Sequence, residues 1–105
     1  MPRFFVGDKI RFAEEKTRYT VKACDDRFLI CTKPYNPGRT VIYTIVDFVR
    51  GIRGTENLVF CEGFETDEQC AEALVRLQKA ETEVSHRNHI PLNIKLDTAA
   101  RSQRT

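Results

Sequence analysis

The chain has 105 residues, 41% of them hydrophobic and 30% charged, and a formal net charge of +2. That length supports one core, burying roughly two-thirds of the surface an unfolded chain exposes, and the balance of residues excludes wholesale disorder. The charge is too small to name a partner. The longest apolar run, Val41 to Val49, is broken by Thr44 and Asp47, far short of the ~20 residues a membrane span needs.

In chain order, Val6-Gly7-Asp8 forms a turn feeding a strand from Lys9 to Phe12. There Ile10 and Phe12 alternate with Lys9 and Arg11, the period-2 signature of a half-buried strand. Tyr19 to Cys24 alternates again, with Tyr19, Val21 and Ala23 on one side and Thr20, Lys22 and Cys24 on the other. Asp25-Asp26 makes a turn, because Asp side chains bond their own backbone, and Phe28 to Thr32 returns as the second arm of a hairpin. Lys33 to Thr40 (KPYNPGRT) is a loop, since proline fixes φ and lacks a donor. Val41 to Phe48 is the strongest strand, apolar on both faces and so placed centrally. Arg50 to Asn57 reads as a glycine-punctuated turn and Leu58 to Cys61 as a fifth strand.

The period then changes. Thr66 followed by Gln69 forms a capping box, with Asp67 and Glu68 in the first turn, where the helix dipole favours anions. Cys70, Ala73, Leu74 and Leu77 fall at i, i+3, i+4 and i+7, which predicts a helix from Asp67 to Glu81. Ile90 to Ile94 reads as a short edge strand, Pro91 being tolerated only at an edge, and it could pair within the chain or with another copy. Residues 1–96 thus form one α+β domain and 97–105 a polar tail. The expected architecture is a small, strongly bent antiparallel sheet of about five strands, an SH3-like partial barrel with one C-terminal amphipathic helix. The expected core includes Ile10, Phe12, Val21, Phe28, Ile30, Tyr43, Ile45, Leu58, Phe60, Leu74 and Leu77.

Chemical motifs are sparse. Cys24, Cys31, Cys61 and Cys70 sit in apolar or periodic segments, where a thiol behaves as a small hydrophobe. Met1 to Val6 is interrupted by Pro2 and Arg3 and does not read as a secretory signal, so reduced cysteines and a cytoplasmic location are expected. Cysteine gaps of 7, 30 and 9 residues lack zinc-motif spacing, and His86 and His89 read as surface histidines. The acidic pairs Glu14-Glu15, Asp25-Asp26 and Asp67-Glu68 lie in turns or at a helix start, and RGIRG lacks the lysine of a phosphate loop. Neither an enzyme nor a metal or cofactor is expected.

Two kinds of binding remain. Residues 1–22 carry six basic and three acidic side chains, residues 23–75 five and nine, and residues 76–105 six and three, a basic–acidic–basic pattern. Lys33, Tyr35, Asn36 and Arg39 in the loop, Arg50 and Arg53 in the next turn, and Arg87 beside His86 could meet a nucleic-acid backbone, with Tyr35 stacking on a base. Alternatively, Pro34, Tyr35 and Pro37 make a rigid aromatic surface for a protein partner, since tyrosine and arginine most often anchor interfaces. The acidic stretch Glu62 to Glu72 carries five acids and no bases; it could mimic a phosphate backbone for a basic partner, although helix-start electrostatics is the simpler explanation. Arginines clustered on one face around Tyr35 would favour nucleic acid; dispersed arginines beside an apolar patch would favour protein.

The segment TKPYNPGRTVIYTIVDFVRGIRGTENLVF (Thr32 to Phe60) and the following ETDEQCAEALVRLQKAETEVSHRNHIPLNI resemble a family of short uncharacterised proteins from prophages and mobile elements of Gram-positive bacteria. YTIVD, RG, NLVF and VSHRN carry the resemblance, which runs from about Val6 to Ile94. It implies a cytoplasmic bacterial setting and a binding role, with a host protein or nucleic acid as partner. Inhibition of a host defence system would fit. The leading expectation is therefore a non-enzymatic accessory protein that binds a host protein, and the alternative is a nucleic-acid-binding one.

Overall fold

In a computed structural model of the chain, residues 4–12, 16, 18–34, 41–56, 64, 66–89 and 94–96 are described. The elements are β1 (Lys9–Phe12), β2 (Tyr19–Cys24), β3 (Phe28–Pro34), β4 (Val41–Asp47), β5 (Ile52–Glu56), α1 (Asp67–Gln78), β6 (Val84–His89) and β7 (Ile94–Leu96). The strands form one open sheet in the order β6-β5-β4-β3-β2-β1-β7, and every neighbouring pair is antiparallel. The fold is α+β. No helix among the described residues is long and apolar enough to cross a membrane.

Both faces of the sheet are buried, by different means. One face carries Ala23, Phe28, Ile30, Ile45 and Ile52, packed with Phe64, with Val84, and with Cys70, Ala73 and Leu77 of α1. The other carries Ile10, Phe12, Tyr19, Val21, Leu29, Cys31 and Val46. The helix packs on β2 and β3 over the first face, and the sheet covers the second by curling on itself. Arg53 of β5 places its guanidinium carbon 4.0 Å from the Phe12 ring centroid on β1. These strands are four steps apart, a separation of about 19 Å in a flat sheet at ~4.8 Å per step. The sheet is therefore strongly bent, its concave face lined by the second cluster.

This bend explains the alternation of β2. Its register with β3 runs Val21↔Cys31 and then Ala23↔Ile30, so Lys22 is a bulge residue without a partner position. A bulge reverses side-chain parity and sharpens the local twist. Tyr19 and Val21 consequently face the concave core while Ala23 joins the helix-covered one. The simple alternation that groups Tyr19, Val21 and Ala23 on one side fails at that residue. Lys22 is freed to pair with Asp67 at the start of α1, at 3.4 Å.

The helix starts as its sequence dictates. Thr66 Oγ1 accepts from the Gln69 amide at 3.1 Å, and Gln69 Oε1 accepts from the Thr66 amide at 3.0 Å, the reciprocal capping box. It ends at Gln78 rather than Glu81. Ala80 adopts φ 59, and the amides of Ala80 and Glu81 donate to the carbonyls of Leu77 and Arg76. This is a Schellman stop built without glycine.

Two further expectations are corrected, and two stretches left open by the sequence are strands. Among the described residues the strands number seven rather than about five, because β6 and β7 follow the helix, which is therefore not the C-terminal element. The supposed turn from Arg50 to Asn57 is short, closed by Gly51 at φ 68, and Ile52–Glu56 is strand β5. Gly54 sits inside that strand, beside a second bulge where the pairing skips from Arg53↔Asn88 to Gly54↔His86, a usual place for a strand glycine. The polar VSHRNH segment is strand β6. The last strand begins at Ile94 and pairs with β1 within the chain, Phe12↔Ile94. Leu58 to Cys61, residues 35–40, 90–93 and 97–105 lie outside the described residues.

Candidate functional site

Three turns and the helix end converge at one end of the sheet, and short acidic side chains hold each turn. Between β2 and β3, Asp25 Oδ1 accepts from the amides of Arg27 and Phe28 at 2.8 and 2.6 Å, and its Oδ2 accepts from Gln78 Nε2 of α1 at 2.9 Å. Between β4 and β5, Asp47 Oδ1 accepts from the amides of Val49 and Arg50 at 3.0 and 3.2 Å. Before β1, Asp8 Oδ2 accepts from the Phe5 amide at 2.8 Å. Asp is suited to this because its carboxylate reaches backbone amides two or three residues away.

The turns are then tied to each other. The Arg27 guanidinium grips Asp47 with two bonds, Nε to Oδ1 at 3.1 Å and Nη2 to Oδ2 at 3.0 Å. The Phe48 amide donates to the Arg27 carbonyl at 2.8 Å. Cys24 Sγ donates to the Phe4 carbonyl at 3.1 Å, and the Phe4 and Phe48 rings stack with centroids 6.1 Å apart. Asp47 is 1% exposed. Burial pushes its carboxyl up, but the Arg27 guanidinium and the amides of Arg50 and Val49 outweigh that and hold it below the usual carboxylate range. Asp25 follows the same rule, with burial opposed by the Phe28 amide, the Gln78 side chain and the Arg27 amide. These anions are structural braces.

What the braces present is apolar. Next to the stacked Phe4–Phe48 pair along the chain, Phe5 is 55%, Val6 57% and Val49 70% exposed. Asp47 fixes the turn that projects Val49, and Asp8 fixes the turn that projects Phe5 and Val6. Arg50 follows Val49 in this turn, and Arg27 grips the Asp47 that fixes it. Scattered exposed apolar residues are normal, but a group held together by braced turns marks a contact surface.

Alongside this surface lies a cavity of about 450 Å³, lined by Arg27, Phe28, Asp47, Arg50, Leu77, Ala80, Thr82, Glu83 and Val84. It sits between the helix C-terminus and the β4–β5 turn. Arg50 Nη1 donates to the Val84 carbonyl at 3.1 Å across it.

The residues singled out from sequence are distributed unevenly. Lys33 of β3 lies over the Tyr19 ring at 4.9 Å, Tyr19 meets Phe12 edge-on at 5.3 Å, and Arg53 covers Phe12. Lys33 and Arg53 thus lie on the concave side. Arg50 lines the cavity on the helix-covered side, so Arg50 and Arg53 do not converge. His86 and Arg87 lie in β6. Tyr35, Asn36 and Arg39 lie outside the described residues. Phe5, Val6, Arg27 and Val49 were not singled out. One signal was available: Phe4-Phe5-Val6 is three consecutive apolar residues before a turn, and a run of that kind cannot turn every side chain inward.

The described thiols are packed. Cys31 and Cys70 are buried, and burial, with Asp67 adding and Lys22 opposing, pushes the Cys70 thiol up to about 11. Burial, then Asp25 and Asp8, raise Cys24 as well. Among the described residues no three His, Cys, Asp or Glu side chains gather closely enough to hold a metal ion. Compared with known proteins, the chain matches no family model, no curated sequence and no solved structure.

Proposed function

We propose that this chain is a non-enzymatic binding module, a curled sheet of SH3-like character that docks a protein partner through the turn end of its sheet. The observation that carries this reading is the exposure of Phe5, Val6 and Val49 on turns braced by Asp8 and Asp47. Bracing lowers the ordering cost on contact, and arginines beside aromatic side chains are the usual anchors of protein interfaces. The separation of Arg50 from Arg53 supports a protein over a nucleic-acid backbone as the partner. The resemblance to prophage and mobile-element proteins supports a cytoplasmic host protein, with inhibition of a host defence system as the role such a module would fill.

The test is affinity capture from a Gram-positive host lysate with the wild-type chain and with Val49→Asp. A host protein retained by the wild type and lost by a Val49→Asp variant that unfolds at the same temperature supports the reading. Equal retention by both removes the patch from consideration. A salt titration with mixed single- and double-stranded nucleic acid runs beside it. Tight binding that falls steeply with salt and disappears in an Arg50→Ala, Arg53→Ala double variant would replace this reading with the nucleic-acid one.

A further inference from the structure

The cavity beside the docking surface carries two guanidiniums, Arg27 and Arg50, and two carboxylates, Asp47 within and Glu83 on the rim. Asp47 already accepts from Arg27 Nε, Arg27 Nη2 and the amides of Val49 and Arg50, three of the four at Oδ1, and its side chain is buried. Three carbonyls of the last turn of α1 are also occupied, since the amides of Lys79, Ala80 and Glu81 donate to Val75, Leu77 and Arg76. On the donor side, the positive charge of Arg27 is balanced by Asp47, but Arg50 bonds only the neutral Val84 carbonyl among the described residues. A guanidinium has five N–H donors in a planar fork that matches a carboxylate. Among the described residues, the rest of that fork on Arg50 meets no acceptor. Below it, Phe28, Leu77 and Val84 make an apolar floor. The volume lies within the ~300–1,000 Å³ of ligand pockets, ample for a carboxylate-bearing side chain with its methylene stem.

We propose that this cavity receives an acidic side chain of the protein partner, its carboxylate held by the Arg50 guanidinium and its stem packed on Phe28, Leu77 and Val84. The proposal deepens the protein-docking reading and rests on it. Apolar contact alone supports a partner modestly, since three half-exposed side chains cover little area against the cost of association. A charge-assisted bond in a partly desolvated cavity supplies the orientation and affinity the apolar patch lacks. Exposed Glu83, on the rim, makes no ion pair with Arg50 and repels an incoming anion. Glu83→Gln is therefore expected to tighten binding.

The experiment follows backbone amides and the Arg50 Nε–H of the isotopically labelled full chain by NMR. The probes are a blocked octapeptide of alternating Leu and Glu, its Leu/Gln counterpart, and free glutarate. Saturable shifts at Thr82, Glu83 and Val84 are expected with the Leu/Glu peptide. Arg50→Gln should weaken it about tenfold or more, the scale of a hydrogen bond to a charged group, and Glu83→Gln should strengthen it. Arg53→Gln, on the other face, should leave it unchanged. Equal binding of the Leu/Gln peptide, or binding unaffected by Arg50→Gln, would overturn the proposal. Glutarate binding as tightly as the peptide would overturn the partner side chain as the source and leave a small-carboxylate site. The amide spectrum and thermal unfolding of each variant separate lost binding from lost folding. Peptide shifts test the cavity and host-protein capture by Val49→Asp tests the apolar patch, so either can fail while the other stands.

Discussion

The two faces of the sheet solve the same problem in opposite ways. On one, an amphipathic helix contributes Cys70, Ala73 and Leu77 to cover Ala23, Phe28, Ile30 and Ile45. On the other, no helix among the described residues is packed over Leu29, Cys31 and Val46, yet each is fully buried. There the bend brings β1 towards β5, and the cationic side chains of Lys33 and Arg53 close over the Tyr19–Phe12 pair. Long basic side chains suit this because their stems cover apolar surface while the charge meets the ring face or water. A helix can cover a nearly flat face, whereas curvature makes a core out of a sheet alone. The bulge at Lys22 links the two, handing Ala23 to the helix while Val21 stays on the concave side.

The sharpest way to break this comparison is to truncate one residue in each core. Leu29→Ala, on the concave side, should cost about 2–5 kcal/mol, the same range as Leu77→Ala on the helix. Urea unfolding measures both. A cost below about 1 kcal/mol for Leu29→Ala would mean that the concave face is not a packed core and that the bend is shallower than the Arg53–Phe12 contact requires.

The second prediction concerns the braces at the turn end. Asp47→Ala leaves the amides of Val49 and Arg50 without their acceptor and should cost about 2 kcal/mol, the scale of losing bonds to a charged group. The same brace sets a pH dependence. Asp25 and Asp47 both titrate below the ordinary carboxylate range in the fold, so between the folded and unfolded values the unfolded chain binds more protons and stability rises with pH. Their contribution is complete above about pH 5 and is lost as pH falls below ~4, the unfolded value. Denaturant midpoints from pH 7 to pH 3 should show that loss, with a shallower slope in Asp47→Asn. An unchanged slope would mean that Asp47 is not the brace.

How far these features could be read from sequence depends on how local their causes are. Strands β1 and β2 follow from side-chain alternation, β3 from the Asp25-Asp26 turn before it and β4 from its apolar residues on both faces, and the helix start follows from Thr66 and Gln69, three residues apart. Ile10, Phe12, Val21, Phe28, Ile30, Ile45 and Leu77 are buried as expected, and Tyr43 and Leu74 pack against the core from partly buried positions. The burial of Cys31 and Val46 agrees with a thiol read as a small hydrophobe and a strand read as apolar on both faces, whereas Leu29 is absent from the expected core because assigning one face to water is the default for an antiparallel strand, and only the tertiary bend buries the other. Strand β5 was hidden by Gly51 and Gly54, which read as a turn, and β6 by VSHRNH, whose one apolar residue gives no period. The candidate site was the least legible part. Asp47 and Arg27 are brought together by hairpin register, Phe28↔Asp47, and no local pattern links residues 20 apart.

Smaller effects sharpen the same comparison at the two ends of the covering helix. At its start, Thr66→Ala removes the acceptor of the Gln69 amide and should cost about 1 kcal/mol. Because α1 covers only one face, hydrogen exchange should quicken at Ala23 and Ile30 more than at Val21. At its end, Ala80 holds φ 59, a left-handed conformation that costs a residue with a Cβ about 1–2 kcal/mol relative to the right-handed one. Ala80→Gly should therefore gain somewhat less, about 1 kcal/mol, since glycine also adds freedom to the unfolded chain. The gain should appear as a higher denaturant midpoint with an unchanged slope. Ala80 also lines the cavity beside Arg50, which makes the substitution informative twice. If Ala80→Gly stabilises and leaves peptide binding intact, the strained residue serves only to stop the helix. If it stabilises and weakens binding, the methyl group is part of the cavity wall, and strain at the helix end is maintained for the site.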